Sequence, residues 1–106
     1  MKIKIGSNDR IYIGQELEEK NHYILMEKLK KDPVKAGLYI LILSENEGEE
    51  MEIIKSCELL RPVYKYRDIK VCGIAKNRDD AFMLVKDMAE DILKQDEKCS
   101  FREYFK

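Results

Sequence analysis

The chain has 106 residues, and its 20 lysines and arginines nearly balance its 21 aspartates and glutamates, for a net charge of −1. Proteins that bind nucleic acid neutralise phosphates and normally carry a basic excess, so this balance argues against a nucleic-acid partner. An apolar fraction of 44% is ordinary for folded proteins, and we expect residues 1–106 to form one domain.

The start of the chain and the cysteine spacing indicate a cytoplasmic protein. Residues 1–5 alternate charged and apolar side chains, whereas a signal peptide contains an apolar run. No stretch approaches the ~20 apolar residues of a membrane span, so we expect no membrane partner. Cys57, Cys72 and Cys99 are widely spaced, and we expect free thiols, the first two as small core residues.

Two short runs of alternating apolar residues, 2–5 and 10–13, open the chain. They flank residues 6–9, whose sequence Gly-Ser-Asn-Asp is typical of turns. This pattern predicts an antiparallel hairpin whose buried face carries Ile3, Ile5, Ile11 and Ile13. The apolar spacing then becomes that of a helix over about residues 15–31, and Asp32-Pro33 ends it.

The remaining elements alternate between strand and helix. Residues 38–43 are six consecutive apolar residues, which predicts a central strand covered on both faces. A rough apolar stripe over residues 49–60 predicts a second helix, and residues 69–75 predict another strand that contains Gly73. Asn77 is placed to cap a final amphipathic helix that ends near Gln95, with Asp80 as its capping-box partner.

The predicted order β-β-α-β-α-β-α places the chain in the α/β class. Helices that alternate with strands favour parallel β-α-β crossovers, whereas the opening hairpin adds an antiparallel strand. We therefore predict a mixed four-stranded sheet with two β-α-β crossovers and helices packed on it.

Two stretches resemble a type of small uncharacterised bacterial α/β protein. Residues 71–81, Val-Cys-Gly-Ile-Ala-Lys-Asn-Arg-Asp-Asp-Ala, lead a Gly-Ile-Ala strand into an amphipathic helix, and residues 101–105 are Phe-Arg-Glu-Tyr-Phe. Proteins of that type close on a similar Arg-x-Tyr-Phe segment. The resemblance implies an α/β fold in a bacterial protein and supplies no active site.

The best candidate site follows from the predicted topology. In open α/β sheets, ligands bind outside the carboxyl ends of parallel strands. If the strands at 38–43 and 69–75 are adjacent and parallel, Ser44 and Asn46 lie beside Lys76, Asn77 and Arg78. The two cations and the free amides at the start of the last helix would then bind a small anionic ligand. The alternative is that Asn77 only caps the helix and that the charges are solvated.

The sequence offers no motif for a cofactor, a metal or covalent catalysis. It contains no Gly-rich phosphate loop, and the acidic residues within 45–50 lack the spacing of an EF-hand. His22 is the only histidine, so any histidine-based dyad would have to include it. We therefore expect no cofactor and no metal, and an enzyme with Glu45, His22 or Asp79 as its base is the weakest option.

Two functional hypotheses follow from these patterns. The first is a non-enzymatic interaction module that forms a homo-oligomer through its sheet edge and the aromatic residues Phe101, Tyr104 and Phe105. The second is a small-anion-binding protein that uses the loops at residues 44–46 and 76–78.

Overall fold

The computed structural model describes residues 2–5, 11–17, 21–43, 51–62 and 68–95, except for the side chains of residues 2–5 and 68. The strands are β1 (Lys2–Ile5), β2 (Tyr12–Ile13), β3 (Tyr39–Leu43), β4 (Glu52–Lys55) and β5 (Asp68–Ala75). The helices are α1 (His22–Lys31), α2 (Pro33–Ala36) and α3 (Arg78–Gln95), with a 3-10 helix at Ser56–Leu60.

Strand β5 lies inside a mixed sheet. Within the described residues the strand order is β1-β5-β3-β4, and β2 pairs with β5 beyond the end of β1. Both β1 and β2 run parallel to β5, whereas β3 runs antiparallel to β5 and to β4. The sheet thus has four positions, one of which β1 and β2 share. The predicted α/β class and mixed four-stranded sheet are confirmed.

The predicted opening hairpin is wrong. Strand β1 pairs with residues 68–71 of β5, and β2 pairs with residues 73–74. Strand β5 has eight residues, which is long enough for β1 and β2 to pair with successive parts of the same edge without pairing with each other. Ile11 and Ile13 pack against the core as predicted; the side chains of Ile3 and Ile5 lie outside the described part of the structure.

The helix predicted over residues 49–60 is also wrong in the described range from residue 51 onward. Residues 52–55 form β4, and the 3-10 helix follows directly. Ile54 packs on the α1 side of the sheet and Ile53 on the α3 side, as a strand's alternation requires. Pairing of these β-branched residues with β3 outweighs the helical spacing of the segment.

The strand directions differ from those of the predicted crossovers. Strands β3 and β5 are adjacent but antiparallel, with Tyr39 opposite Ala75 and Leu43 opposite Lys70. The prediction placed a helix between these two strands, which would have made them parallel. In its place the chain forms β4, which runs antiparallel to β3. Strand β5 therefore returns antiparallel to β3, and the connection from β4 to β5 is the one that crosses over a strand.

Two apolar cores cover the two faces of the sheet. Ile40 and Leu41, neighbours in β3, are fully buried in opposite cores, which confirms the central strand predicted at residues 38–43. Helix α1 packs on one face and α3 on the other, and their main buried side chains are Leu25, Met26, Leu29, Ala81, Leu84 and Met88. None of the described helices combines the length and the apolar character needed to cross a lipid bilayer.

Polar side chains set the helix ends. The side-chain oxygen of Asn21 accepts from the backbone N–H of Tyr23 at 2.9 Å, so α1 begins later than the predicted residue 15. Asp32 ends α1 and also caps α2, where its Oδ1 accepts from the backbone N–H of Lys35 at 3.1 Å. Pro33 occupies the first turn of α2, and the predicted stop at Asp32-Pro33 is confirmed.

A β-bulge lies where β5 passes under α3. Leu41 pairs with Gly73 but the next residue of β3 pairs with Val71, so Cys72 is the extra residue of β5. A Cβ added to Gly73 would lie 3.0 Å from Met88 Cε and 3.4 Å from Leu41 Cδ1. Glycine at this position therefore permits the close approach of α3 to the sheet.

The two described cysteines have opposite environments. Cys72 is fully buried, as predicted, whereas Cys57 is exposed on the 3-10 helix and is not the core residue that the sequence predicted. The short helix turns Leu59 inward instead, where it is fully buried. Burial raises the pKa of the Cys72 thiol to about 12, and the nearby charge of Lys70 opposes part of this shift.

Cys72 is expected to make the protein less stable at alkaline pH. Between the ordinary thiol pKa of 9.0 and the folded value of about 12, the unfolded chain loses this proton while the folded protein keeps it. The free energy of unfolding should fall by up to about 1.4 kcal/mol per pH unit in this range. Urea denaturation of the wild type and Cys72→Ala from pH 8 to pH 11 measures how the free energy of unfolding of each protein depends on pH. All other titratable groups are the same in both proteins, so the difference between the two slopes reports Cys72 alone. Equal slopes for the two proteins would contradict the assignment.

Candidate functional site

Several chain segments meet at the end of the sheet where β2 and β5 finish. The backbone N–H of Gly14 donates to the Ile74 carbonyl at 2.8 Å, which keeps the chain beside β5 for one residue after β2. The N–H of Leu17 then donates to the Gly14 carbonyl at 3.3 Å and turns the chain across this end. Strand β3 begins here too, because Tyr39 pairs with Ala75.

The start of α3 is held by its own side chains. Asn77 Oδ1 accepts from the backbone N–H of Asp80 at 2.8 Å, and Asp80 Oδ2 accepts from the backbone N–H of Lys76 at 3.3 Å. The predicted Asn77 cap is confirmed. The capping box predicted with Asp80 is not formed, because Asp80 accepts from the N–H of Lys76 and not from that of Asn77. These two amides thus already have acceptors, and Asp80 is buried against Gly14.

Ser56 fixes the neighbouring turn. Its hydroxyl donates to the Pro33 carbonyl at 2.6 Å and accepts from the backbone N–H of Leu38 at 3.2 Å. Gly37 lies between the end of α2 and Leu38, and its φ of +59° is in the left-handed region that favours glycine. Ser56 is almost fully buried, so these bonds hold α2 firmly against the start of β3.

Two adjoining cavities form a groove beside this turn, which we call the basic groove. One cavity has a volume of about 360 Å³ and the other about 520 Å³, and Lys28 and Ala36 line both. The first lies over apolar side chains that include Leu17, Leu25 and Leu38. Among the described residues that line the two cavities, the cationic side chains are Lys28, Lys31, Lys35 and Lys76, and the acidic ones are Glu16 and Asp32.

The lysines give the basic groove a positive charge. Asp32 already accepts a bond as the cap of α2, and none of the four lysines forms an ion pair with a residue of the described ranges. Within that part of the chain, their ammonium groups thus have no carboxylate partner. The groove lies at the carboxyl ends of the parallel strands β2 and β5, where open α/β sheets commonly bind ligands.

An acidic cavity of about 440 Å³ adjoins the start of α3. Glu16, Asp79, Asp80 and Asp87 line it, together with Asn77 and other residues. Carboxylates at this helix start complement the helix dipole and repel an anion. Among the described residues, no group of acidic, histidine or cysteine side chains is arranged to hold a metal ion.

The described residues of the sequence-predicted site do not share one cavity. Lys76 lines the basic groove, Asn77 lines the acidic cavity, and Arg78 is exposed at the start of α3. Ser44 and Asn46 lie outside the described residues. Strand β3 ends at Leu43 opposite Lys70, at the other end of β5 from Lys76, so β3 and β5 do not have the parallel arrangement on which the prediction depended.

Lys28, Lys31 and Lys35 are groove residues that sequence reasoning missed. The lysines near the end of α1 also complement the helix dipole, and that explanation needs no ligand. The one sequence feature that could have indicated them is that they cluster on both sides of Asp32-Pro33, where the first helix was predicted to end. His22, considered as a possible base, stacks on Tyr23 with ring centroids 4.1 Å apart and lines none of these three cavities.

Comparison with protein-family models, with curated proteins and with solved structures gives no significant match for this chain. A functional assignment therefore depends on the chemistry of the basic groove and its surroundings.

Proposed function

We propose that this chain is a non-enzymatic binding protein that takes a small organic anion in the basic groove. The observation that carries the proposal is the convergence of Lys28, on α1, and Lys76, after β5, on one cavity with an apolar floor. Lysine ammonium groups bind phosphate and carboxylate as compact point charges. A volume of about 360 Å³ lies within the usual range for small-molecule sites.

The ligand class follows from the lining. The ammonium groups suit one or two anionic groups, and Leu17, Leu25 and Leu38 offer contact to an apolar body. An organic phosphate or a dicarboxylate combines both features, whereas an inorganic ion would leave the apolar floor unused. Of the two sequence-based hypotheses, the described residues support this one better. The predicted hairpin edge is not formed, and residues 101–105 lie outside the described range, so self-association stays a prediction.

Isothermal titration calorimetry at low salt tests the proposal, with adenosine monophosphate, succinate and inorganic phosphate as probes. We expect at least one organic anion to bind more tightly than inorganic phosphate, and its affinity to fall with added salt. The double variant Lys28→Ala/Lys76→Ala should lose about a hundredfold in affinity, since it removes two charge-assisted contacts of about 1.5 kcal/mol each.

The matched control is Lys86→Ala/Lys94→Ala on α3, which removes the same charge from exposed positions outside the basic groove. The control should bind the probe as the wild type does. Equal losses in both double variants would show that net charge alone attracts the anion. Unchanged binding in the Lys28 and Lys76 variant would place the site elsewhere.

A further inference from the structure

The two cavities of the basic groove differ in charge. Among the described residues that line the larger cavity, three lysines stand against Asp32, which leaves an excess of two positive charges. In the smaller cavity the charged side chains of the described residues are Lys28, Lys76 and Glu16, so the excess is one. The groove is thus most positive where α1 meets α2. We call Lys28, Lys31 and Lys35, which line this end, the lysine corner.

The turn between α1 and α2 holds the lysine corner in place. The backbone N–H of Asp32 donates to the Lys28 carbonyl at 3.0 Å, and Asp32 Oδ1 caps α2 by accepting from the N–H of Lys35. The buried Ser56 hydroxyl anchors the same turn through its bond to the Pro33 carbonyl. Because these bonds fix the backbone of both helices, less entropy is lost when their lysines gather around one ligand group.

The smaller cavity offers contacts of a different kind. Its apolar floor consists of Leu17, Leu25 and Leu38, which are all buried and so present a fixed surface. Lys76 and Glu16 line the same cavity and supply one hydrogen-bond donor group and one acceptor group. Such a pair suits neutral polar atoms, such as hydroxyl groups or ring nitrogens, because Glu16 repels an anionic group.

On the basis of the function given above, on which this step depends, we propose that the ligand of the basic groove is a phosphomonoester. Its phosphate group binds at the lysine corner, and its organic body lies over the apolar floor. A phosphomonoester carries about two negative charges at pH 7, which matches the charge excess of the larger cavity. A dicarboxylate divides its charge between two ends, and its second carboxylate would enter the cavity that Glu16 lines.

Mapping of amide chemical shifts by NMR, with the two halves of adenosine monophosphate as separate probes, tests this orientation. Inorganic phosphate should shift the signals of Lys31 and Lys35, whereas adenosine should shift those of Leu17, Leu38 and Lys76. Adenosine monophosphate should shift both sets, and it should bind at least about tenfold more tightly than succinate. Phosphate shifts at Lys76 without shifts at Lys31 and Lys35 would overturn the orientation.

The double variant Lys31→Ala/Lys35→Ala tests the lysine corner by calorimetry. Its affinity for adenosine monophosphate should fall about a hundredfold, since it removes two charge-assisted contacts to the phosphate group, and its affinity for adenosine should not change. The matched control is again Lys86→Ala/Lys94→Ala, which removes the same charge outside the basic groove and should bind both probes as the wild type does.

The failure of this proposal is distinguishable from the failure of the proposed function. Binding of adenosine monophosphate that depends on Lys28 and Lys76 but not on Lys31 and Lys35 would overturn the phosphate position alone. Tighter binding of succinate than of adenosine monophosphate would overturn the ligand class and leave the anion site in place. Binding of none of these probes would overturn both proposals.

Discussion

Replacing Gly73 by valine is expected to lower the free energy of unfolding by about 3 kcal/mol, because the new side chain enters a filled core. Its Cβ would lie 3.0 Å from Met88 Cε, and Leu41 Cδ1 and Leu84 Cδ1 would each be 3.4 Å away. Leu41 and Met88 are fully buried, so they cannot move out to solvent. Either α3 lifts from the sheet or several side chains leave their preferred rotamers.

Urea denaturation of a graded series measures this effect. Gly73→Ala should cost less than Gly73→Val, since Met88 is flexible and can yield by a few tenths of an ångström. Combining Gly73→Val with Met88→Ala should cost at least about 1 kcal/mol less than the sum of the single variants, because the valine fills the vacated space. Additive costs would show that the glycine serves the strand backbone and not the contact with α3.

Replacing Gly14 by alanine is expected to cost about 2 kcal/mol, because a Cβ at this position would collide with the Asp80 carboxylate. The added atom would overlap Asp80 Oδ2 and would lie 2.6 Å from its Cγ. Asp80 is a short side chain at the buried start of α3, and moving it breaks its bond from the Lys76 N–H. The same displacement would shift Lys76 at the edge of the basic groove.

A double-mutant cycle isolates the contact between Gly14 and Asp80. Gly14 has no positive φ, so alanine can adopt its backbone conformation. In an Asp80→Ala background, the Gly14→Ala change should be neutral, or stabilising by about 0.5 kcal/mol through the unfolded state. The coupling between the two positions should then be about 2 kcal/mol. An equal cost of Gly14→Ala in both backgrounds would mean that the cost does not come from the collision with Asp80.

Sequence patterns predicted the elements whose signals are complete within a few residues. Helix α3 carries its own cap at Asn77 and an apolar stripe through Met88, and it was predicted to within a turn. The stop at Asp32-Pro33 and the strand at residues 38–43 were equally local. The candidate site was predicted in part, since Lys76 was predicted and lines the basic groove, whereas the lysines of α1 were not predicted as site residues.

The sequence by itself determined the α/β class, the central strands, the end of α1 and both ends of α3, because periodicity and capping act between neighbours in the chain. Only the tertiary structure decided the direction of β1 and β2, since alternating residues suit a hairpin and a parallel edge equally well. It also decided that residues 52–55 form a strand, because the free edge of β3 supplies hydrogen bonds that an isolated segment lacks. The antiparallel arrangement that results carries the end of β3 away from Lys76 and places α1 there instead. The lysine cluster that sets the chemistry of the site is thus a product of long-range strand pairing.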